Sequence, residues 1–249
     1  MIEEFRSWLL PAAAPPFEEL LGSVRFDAVT AGRRGTVIVR NDARGIPIVR
    51  STTAYRAPAQ PFRPIHERLA QEIRASAALS HPFDNALVEH YTRTYAKMKR
   101  HSDQALDLAE ASAIAVYSCY RDPAKPSRLL VVTSKESGTS FEIPLEHGSA
   151  VTFSLDTNRR FTHAILLRAN APDNDWLGIT FRTSKTLVRR LDGHPTLPSG
   201  DRLTLANEEQ RRELFQLRRR ENDETDFRWP AISYTLSESD LLSPESLES

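Results

Sequence analysis

Between residues 85 and 190 the chain repeats one texture: short runs in which apolar and polar residues alternate. A period of two places the apolar side chains on one face of an extended strand. On this pattern the segments Asn85–Arg100 (a strand and a turn), Ala111–Tyr120, Arg128–Ser134, Thr139–Leu145, Ser149–Leu155, Thr162–Arg168 and Leu177–Val188 are predicted strands. The joints between them hold Asp-Pro, Ser-Gly, His-Gly, Asp-Thr-Asn and Pro-Asp-Asn-Asp, all residues suited to turns. Six or seven short strands at this spacing predict an antiparallel sandwich or barrel.

The flanks read differently. Residues 1–21, MIEEFRSWLLPAAAPPFEELL, predict a short amphipathic helix, a Pro/Ala turn and a second helical start. Val24–Val49 alternates again, broken by Gly-Arg and Asp-Ala-Arg-Gly turns, and predicts short strands. A helix follows over about Ile65 to Leu79, with Leu69, Ile73 and Ala77 on one face, and His81-Pro82 ends it. Another helix is predicted over Asn207–Arg220, with Asn207 as its cap, and then a Ser/Glu-rich tail expected to be mobile. The fold class expected is α+β, mainly β, within one structural domain. Residues 1–84 supply N-terminal helices and substrate-side strands, 85–190 the core, and 191–249 the C-terminal helix and acidic tail.

Composition adds limits. A chain of 249 residues with 40% hydrophobic and 27% charged residues is long enough to bury a sizeable core. No apolar run reaches the roughly 18 residues of a membrane span. Glu3 and Glu4 stand where a secretory signal would carry positive charge, and the lone Cys119 allows no internal disulfide and no cysteine-based zinc cluster. The expectation is a soluble protein of the cytoplasm or nucleus, not secreted. Thirty-three Lys plus Arg balance thirty-three Asp plus Glu, so any attraction to nucleic acid must come from local patches. The candidates are Arg93–Arg100 and Arg211–Arg220, each of which also reads as a solvated charged face. The oligomeric state is not legible.

The candidate chemistry lies in His101-Ser102-Asp103. Residues i and i+2 of a strand share a side, so an imidazole and a carboxylate at its end aim at one point. His163, 62 residues on, is the best third ligand, because a jelly roll brings strands at that separation side by side. Two histidines and one carboxylate on one face of a metal leave positions open, the arrangement of non-heme Fe(II) oxygen chemistry. Arg182, 19 residues past His163, is placed to pair with a carboxylate such as that of a 2-oxoglutarate cosubstrate. The competing readings are a polar turn before a strand, a core histidine at 163 and a structural ion pair at 182. His66, His81, His90, His147 and His194 fall in a helix, before a proline, on a strand's opposite face or beside turn glycines, and are left out of the site.

Several stretches together resemble the AlkB-like family of Fe(II)/2-oxoglutarate-dependent dioxygenases: NALVEHYTRTYAKMKRHSDQALD, ASAIAVYSCY, LEHGSAVTFSLDTNRRFTHAIL, WLGITFRTSK and, more loosely, PIVRSTTAY. The resemblance covers about Pro47 to Val188. It implies a double-stranded β-helix, or jelly-roll, core with flanking N-terminal and C-terminal helices. It implies that His101, Asp103 and His163 hold Fe(II), that Arg182 and Tyr91 contact 2-oxoglutarate, and that O2 is the cosubstrate. Departures stand beside it. Glu89 occupies the position where the family usually has Asn, Trp176 that of a second arginine, and the turn glycine after the tyrosine is missing. Cosubstrate binding then rests more heavily on Arg182, with Lys185 assisting.

The activity implied is oxidation of a C–H bond, foremost oxidative N-demethylation of a methylated nucleic-acid base. Tyr55 would stack the base and Lys97, Lys99 and Arg100 would meet phosphates. Asp107 and Trp176 are expected to support the site from behind. The alternatives are hydroxylation of a small molecule or protein side chain, and a non-enzymatic binding module with a degenerate site.

Overall fold

The computed structural model describes residues 4–40 and 43–245. In chain order its elements are β1 (Phe5–Leu9), α1 (Phe17–Gly22), β2 (Asp27–Thr30), β3 (Arg33–Val39), β4 (Ile46–Ile48), β5 (Gln60–Pro61), α2 (Pro64–Ser76), β6 (Asn85–Tyr91), β7 (Lys97–His101), β8 (Ala113–Tyr120) and β9 (Arg128–Ser134). They continue with β10 (Ser140–Leu145), β11 (Ser149–Ser154), α3 (Leu155–Arg160), β12 (Phe161–Leu167), β13 (Trp176–Arg182), β14 (Thr186–Leu191), β15 (His194–Thr196), β16 (Thr204–Leu205), α4 (Glu208–Asp223) and β17 (Tyr234–Thr235).

Two sheets make the jelly roll. The larger runs β1-β11-β8-β13-β6-β3-β2, with β5 beside β3, and the smaller runs β10-β9-β12-β7. The alternation seen in the sequence is the division between two cores. On β8, Ile114, Val116 and Tyr120 face inward with Leu130, Val132 and Ile165 of the smaller sheet. Ala115, Tyr117 and Cys119 face outward, where α1 and α2 cover them with Leu20, Leu69 and Ile73. Each buried aliphatic side chain of this kind contributes about 1.5–3 kcal/mol. The outward face of the larger sheet therefore explains why both helices are needed.

Four local expectations are corrected. Phe5–Leu9 is not a helix but the edge strand β1, in register with β11 from Phe5 opposite Phe153 to Leu9 opposite Ser149. Five residues cannot make a stable helix alone, and pairing with β11 satisfies their backbone while burying Phe5. Asp156-Thr157-Asn158 is not a plain turn but part of α3, capped by the Ser154 hydroxyl, which accepts from Thr157 N at 2.9 Å. The tail is not a mobile segment over its described length. Thr235, Ser237 and Ser239 are buried, and Ser237 both accepts from Tyr55 N and donates to Tyr55 O. The single run Leu177–Val188 is split between β13 and β14, which belong to different sheets. At the C-terminal side, α4 begins at the predicted cap, with Asn207 and Gln210 bonded reciprocally.

Candidate active site

β7 and β12 pair antiparallel, with His101 directly opposite His163. Cross-strand partners share a face, and the two imidazole rings lie 4.6 Å apart. Asp103 follows two residues beyond the end of β7, and its position is set by α3. Asn158 accepts from Asp103 N and donates to Asp103 O, each at 2.8 Å. The clasp brings Asp103 Oδ1 to 3.7 Å from His101 Nε2 and 3.5 Å from His163 Nε2. One ligand atom from each of the three residues lies within 4.8 Å of the others.

The protonation states suit a cation. His101 donates from Nδ1 to the Lys99 carbonyl at 2.8 Å, which leaves the lone pair on Nε2 facing Asp103. Burial, and then the neighbouring His163, push the His101 pKa down to about 3, so the ring is neutral at ordinary pH. Burial by itself pushes the Asp103 carboxyl up, but the Arg182 guanidinium and the two imidazoles outweigh it and hold the group well below the usual carboxylate range. A neutral imidazole lone pair and an ionised oxygen thus face one point beside a second imidazole. That donor set fits a borderline divalent metal such as Fe(II) and leaves the opposite face open.

That face opens on a cavity of about 800 Å³. Its mouth carries Lys97, Lys99 and Arg100 from β7 and Phe215, Arg218 and Arg219 from α4. The helix also holds the metal corner. Arg218 donates to Ser102 O at 2.8 Å, Asn222 accepts from Ser102 N at 2.9 Å, and Glu221 accepts from Ala105 N at 2.8 Å. Neither this clamp nor the Asn158 clasp was found from the sequence. An Asn in a turn and a charged helix carry no local mark of what they touch. The amphipathic pattern of α4, with Leu214 and Arg218 on one face, was the one usable signal.

The other expected residues are distributed unevenly. Arg182 lines the cavity, and its Nε donates to Asp103 Oδ2 at 2.8 Å. Tyr91 is fully buried and its hydroxyl donates to Glu89 Oε2 at 2.9 Å, while Arg33 Nε donates to Glu89 Oε1 at 2.8 Å. Trp176 packs against Tyr91 at 4.8 Å and lies over Gly178, where a Cβ would fall 2.0 Å from the indole. Tyr55 does not meet the cavity. It is buried, with its hydroxyl against Gly35 beneath the Arg33–Glu89 pair. Asp107 does not support the metal corner either. Arg50 donates to it from Nη2, Nε and the backbone N at 2.8–3.0 Å, and Thr186 Oγ1 donates at 2.7 Å, a closed structural ion pair. Lys185 is exposed and lies outside the cavity wall.

A jelly roll with two histidines and one carboxylate at the mouth of a cavity is built as a metal-dependent oxygenase. The family model described as the 2OG-Fe(II) oxygenase superfamily matches residues 39–205, and the chain belongs to that superfamily. It is accordingly an Fe(II)- and 2-oxoglutarate-dependent dioxygenase that uses O2. No curated protein matches. Among solved structures it is similar to the one described as "The structure of OsALKBH1", with 14% sequence identity over 61% of this chain and 78% of that one, and a TM-score of 0.42. Among the described residues no helix is long and apolar enough to cross a membrane.

Proposed function

We propose that this dioxygenase belongs to the AlkB-like branch and oxidises an N-methyl group on a nucleic-acid base, with His101, Asp103 and His163 as the Fe(II) ligands. When bound there, Fe(II) with 2-oxoglutarate and O2 supplies the oxidising power for C–H hydroxylation, and the cosubstrate leaves as succinate and CO2. The chain's own residues prepare the site. Asn158 and the Ser102 clamp fix the ligand angles, and Arg182 keeps Asp103 ionised and turned toward the imidazoles. Arg182 also meets a cosubstrate carboxylate beside the metal, where its fork adds a charge-assisted bond.

The observation that carries the substrate reading is the mouth. Lys97, Lys99, Arg100 and Arg219 are all exposed there, and none has an ion-pair partner among the described residues. They line the same cavity as Phe215, a ring 48% exposed. On a chain of zero net charge, a local excess of cations beside an exposed aromatic suits a phosphate backbone and a base taken out of its stack. The motif set Tyr91, His101-Ser102-Asp103, His163 and Arg182 supports the branch. The test is succinate and formaldehyde release with a panel of N-methylated single-stranded oligonucleotides. Expected is release that depends on the methyl group and falls steeply with salt. Succinate release without dependence on any oligonucleotide would move the substrate to a small molecule or protein side chain.

A further inference from the structure

Away from the metal corner the fold buries a cationic group that has no counter-ion among the described residues. Arg128 begins β9 and is 0% exposed, and its side chain makes one hydrogen bond among the described residues, from Nη2 to Thr92 O at 2.9 Å. Its Nε and Nη1 have no partner, and no carboxylate pairs with it among the described residues. Burial pulls its pKa down. The guanidinium rests on the rings of Tyr91 (5.0 Å) and Trp176 (5.9 Å). Cation–π contact recovers only part of what burying an unpaired charge costs. Such a group needs an anion.

Other orphan donors share its surroundings. Trp176 Nε1 and Ser118 Oγ are buried without partners among the described residues. Ser118 is in register with Gly178, on which the Trp176 indole lies. All of these side chains face the interior between the two sheets. Ser118 alternates with Val116 and Tyr120, and Arg128 with Leu130 and Val132, which are inner-core residues. They lie beside the cavity, further along the same strands. Its wall contains Val116, Thr180 and Glu89, and the next inward positions on those strands are Ser118, Gly178 and Tyr91. Val132 is opposite His163, so Arg128 starts four residues further along β9, about 13 Å from the metal corner at strand spacing. An extended arginine side chain and a short dicarboxylate together span that distance. Arg182, the arginine expected to contact the cosubstrate, is committed at Nε to Asp103, close to the metal corner.

We propose that Arg128, assisted by the Trp176 indole N–H, anchors the distal carboxylate of 2-oxoglutarate, while Arg182 serves the metal-proximal end. This rests on the metal corner proposed above. A carboxylate at Arg128 satisfies Nε and Nη1 with charge-assisted bonds and gives the buried cation its counter-ion. It also makes the site selective for a dicarboxylate, because a monocarboxylate leaves the guanidinium unpaired.

The test is calorimetry of the full chain loaded with Mn(II), without O2, titrated with 2-oxoglutarate and with 2-oxobutyrate, which lacks only the distal carboxylate. The parent should prefer 2-oxoglutarate by about 10- to 100-fold. Arg128→Gln should lose that preference while its 2-oxobutyrate and Mn(II) affinities stay within about twofold of the parent. Trp176→Phe keeps the ring and should show a smaller loss confined to 2-oxoglutarate, which supplies a second variant if Arg128→Gln does not fold. A parent that binds Mn(II) but shows no preference overturns the inference and leaves the metal corner standing, as does an Arg128→Gln protein that keeps the full preference. A parent that binds no Mn(II) overturns the metal corner and this inference together.

Discussion

Asp103, Asp107 and Glu110 lie within eight residues of one another, and each pairs with an arginine: Arg182, Arg50 and Arg159. The first two pairs are buried to a similar degree, yet they do different things. Asp107 accepts four hydrogen bonds from Arg50 and Thr186, so neither of its oxygens is left for a ligand. Asp103 gives Oδ2 to Arg182 and leaves Oδ1 beside two imidazole nitrogens, at distances too long for a hydrogen bond to His101. Burial and an arginine partner therefore do not mark a site. What marks it is a carboxylate oxygen left beside two imidazole nitrogens at a cavity wall, a donor set that suits a cation. Arg128 is the same signal with the sign reversed.

The largest effect should come from Asp103→Ala. Removing the carboxylate should abolish stoichiometric Mn(II) or Fe(II) binding in calorimetry, and a variant binding as tightly as the parent would break the comparison. Next is Asp107→Ala, which strands Arg50 as a buried cation and should cost about 3–5 kcal/mol of unfolding free energy. Its folded fraction should bind metal as the parent does, and the opposite result, stable protein with lost metal, would exchange the two roles.

His66 sharpens the same contrast for histidines. Its Nδ1 accepts from Arg63 N at 3.0 Å, and Nε2 lies 2.9 Å from Ser23 Oγ, so the neutral ring is used up inside the fold. Burial, with Arg63 adding to it, pushes its pKa down to about 4 from an ordinary 6.5. Unfolding then takes up a proton between these values. The stabilisation is complete above pH 6.5 and is lost as pH falls toward 4, on the order of 3 kcal/mol in all. Denaturant titrations of the parent and His66→Gln should converge over that window, and parallel curves would remove this assignment. The smallest effect is expected for Glu110→Gln. Arg159 donates to both of its oxygens at 2.8 Å, but the carboxylate is exposed, so water screens the pair and the stability change should stay within about 1 kcal/mol. A loss comparable with that of Asp107→Ala would show that burial is not what separates the two.

The metal corner was legible because its parts carry local marks. His101-Ser102-Asp103 has the spacing of a shared strand face, His163 lies in an alternating run, and Arg182 ends another. The alternation alone also determined most strands, since a period of two defines two faces whatever covers them. The cap at Asn207 was equally local, a polar residue three before Gln210. Tertiary structure decided the rest. Phe5–Leu9 became a strand because β11 offered an open edge, and a helix-like pattern of five residues has too few internal hydrogen bonds to resist. Asp107 became structural because Arg50 lies 57 residues away in sequence and next to it in space. Asn158 and Arg218 hold the metal corner across 55 and 116 residues. Arg128 reads in the sequence as an ordinary polar residue opening a strand, and only the closing of two sheets over it buried a guanidinium with no carboxylate beside it among the described residues. Periodicity is a property of neighbours along the chain, whereas desolvation and pairing depend on which distant segments the fold brings together.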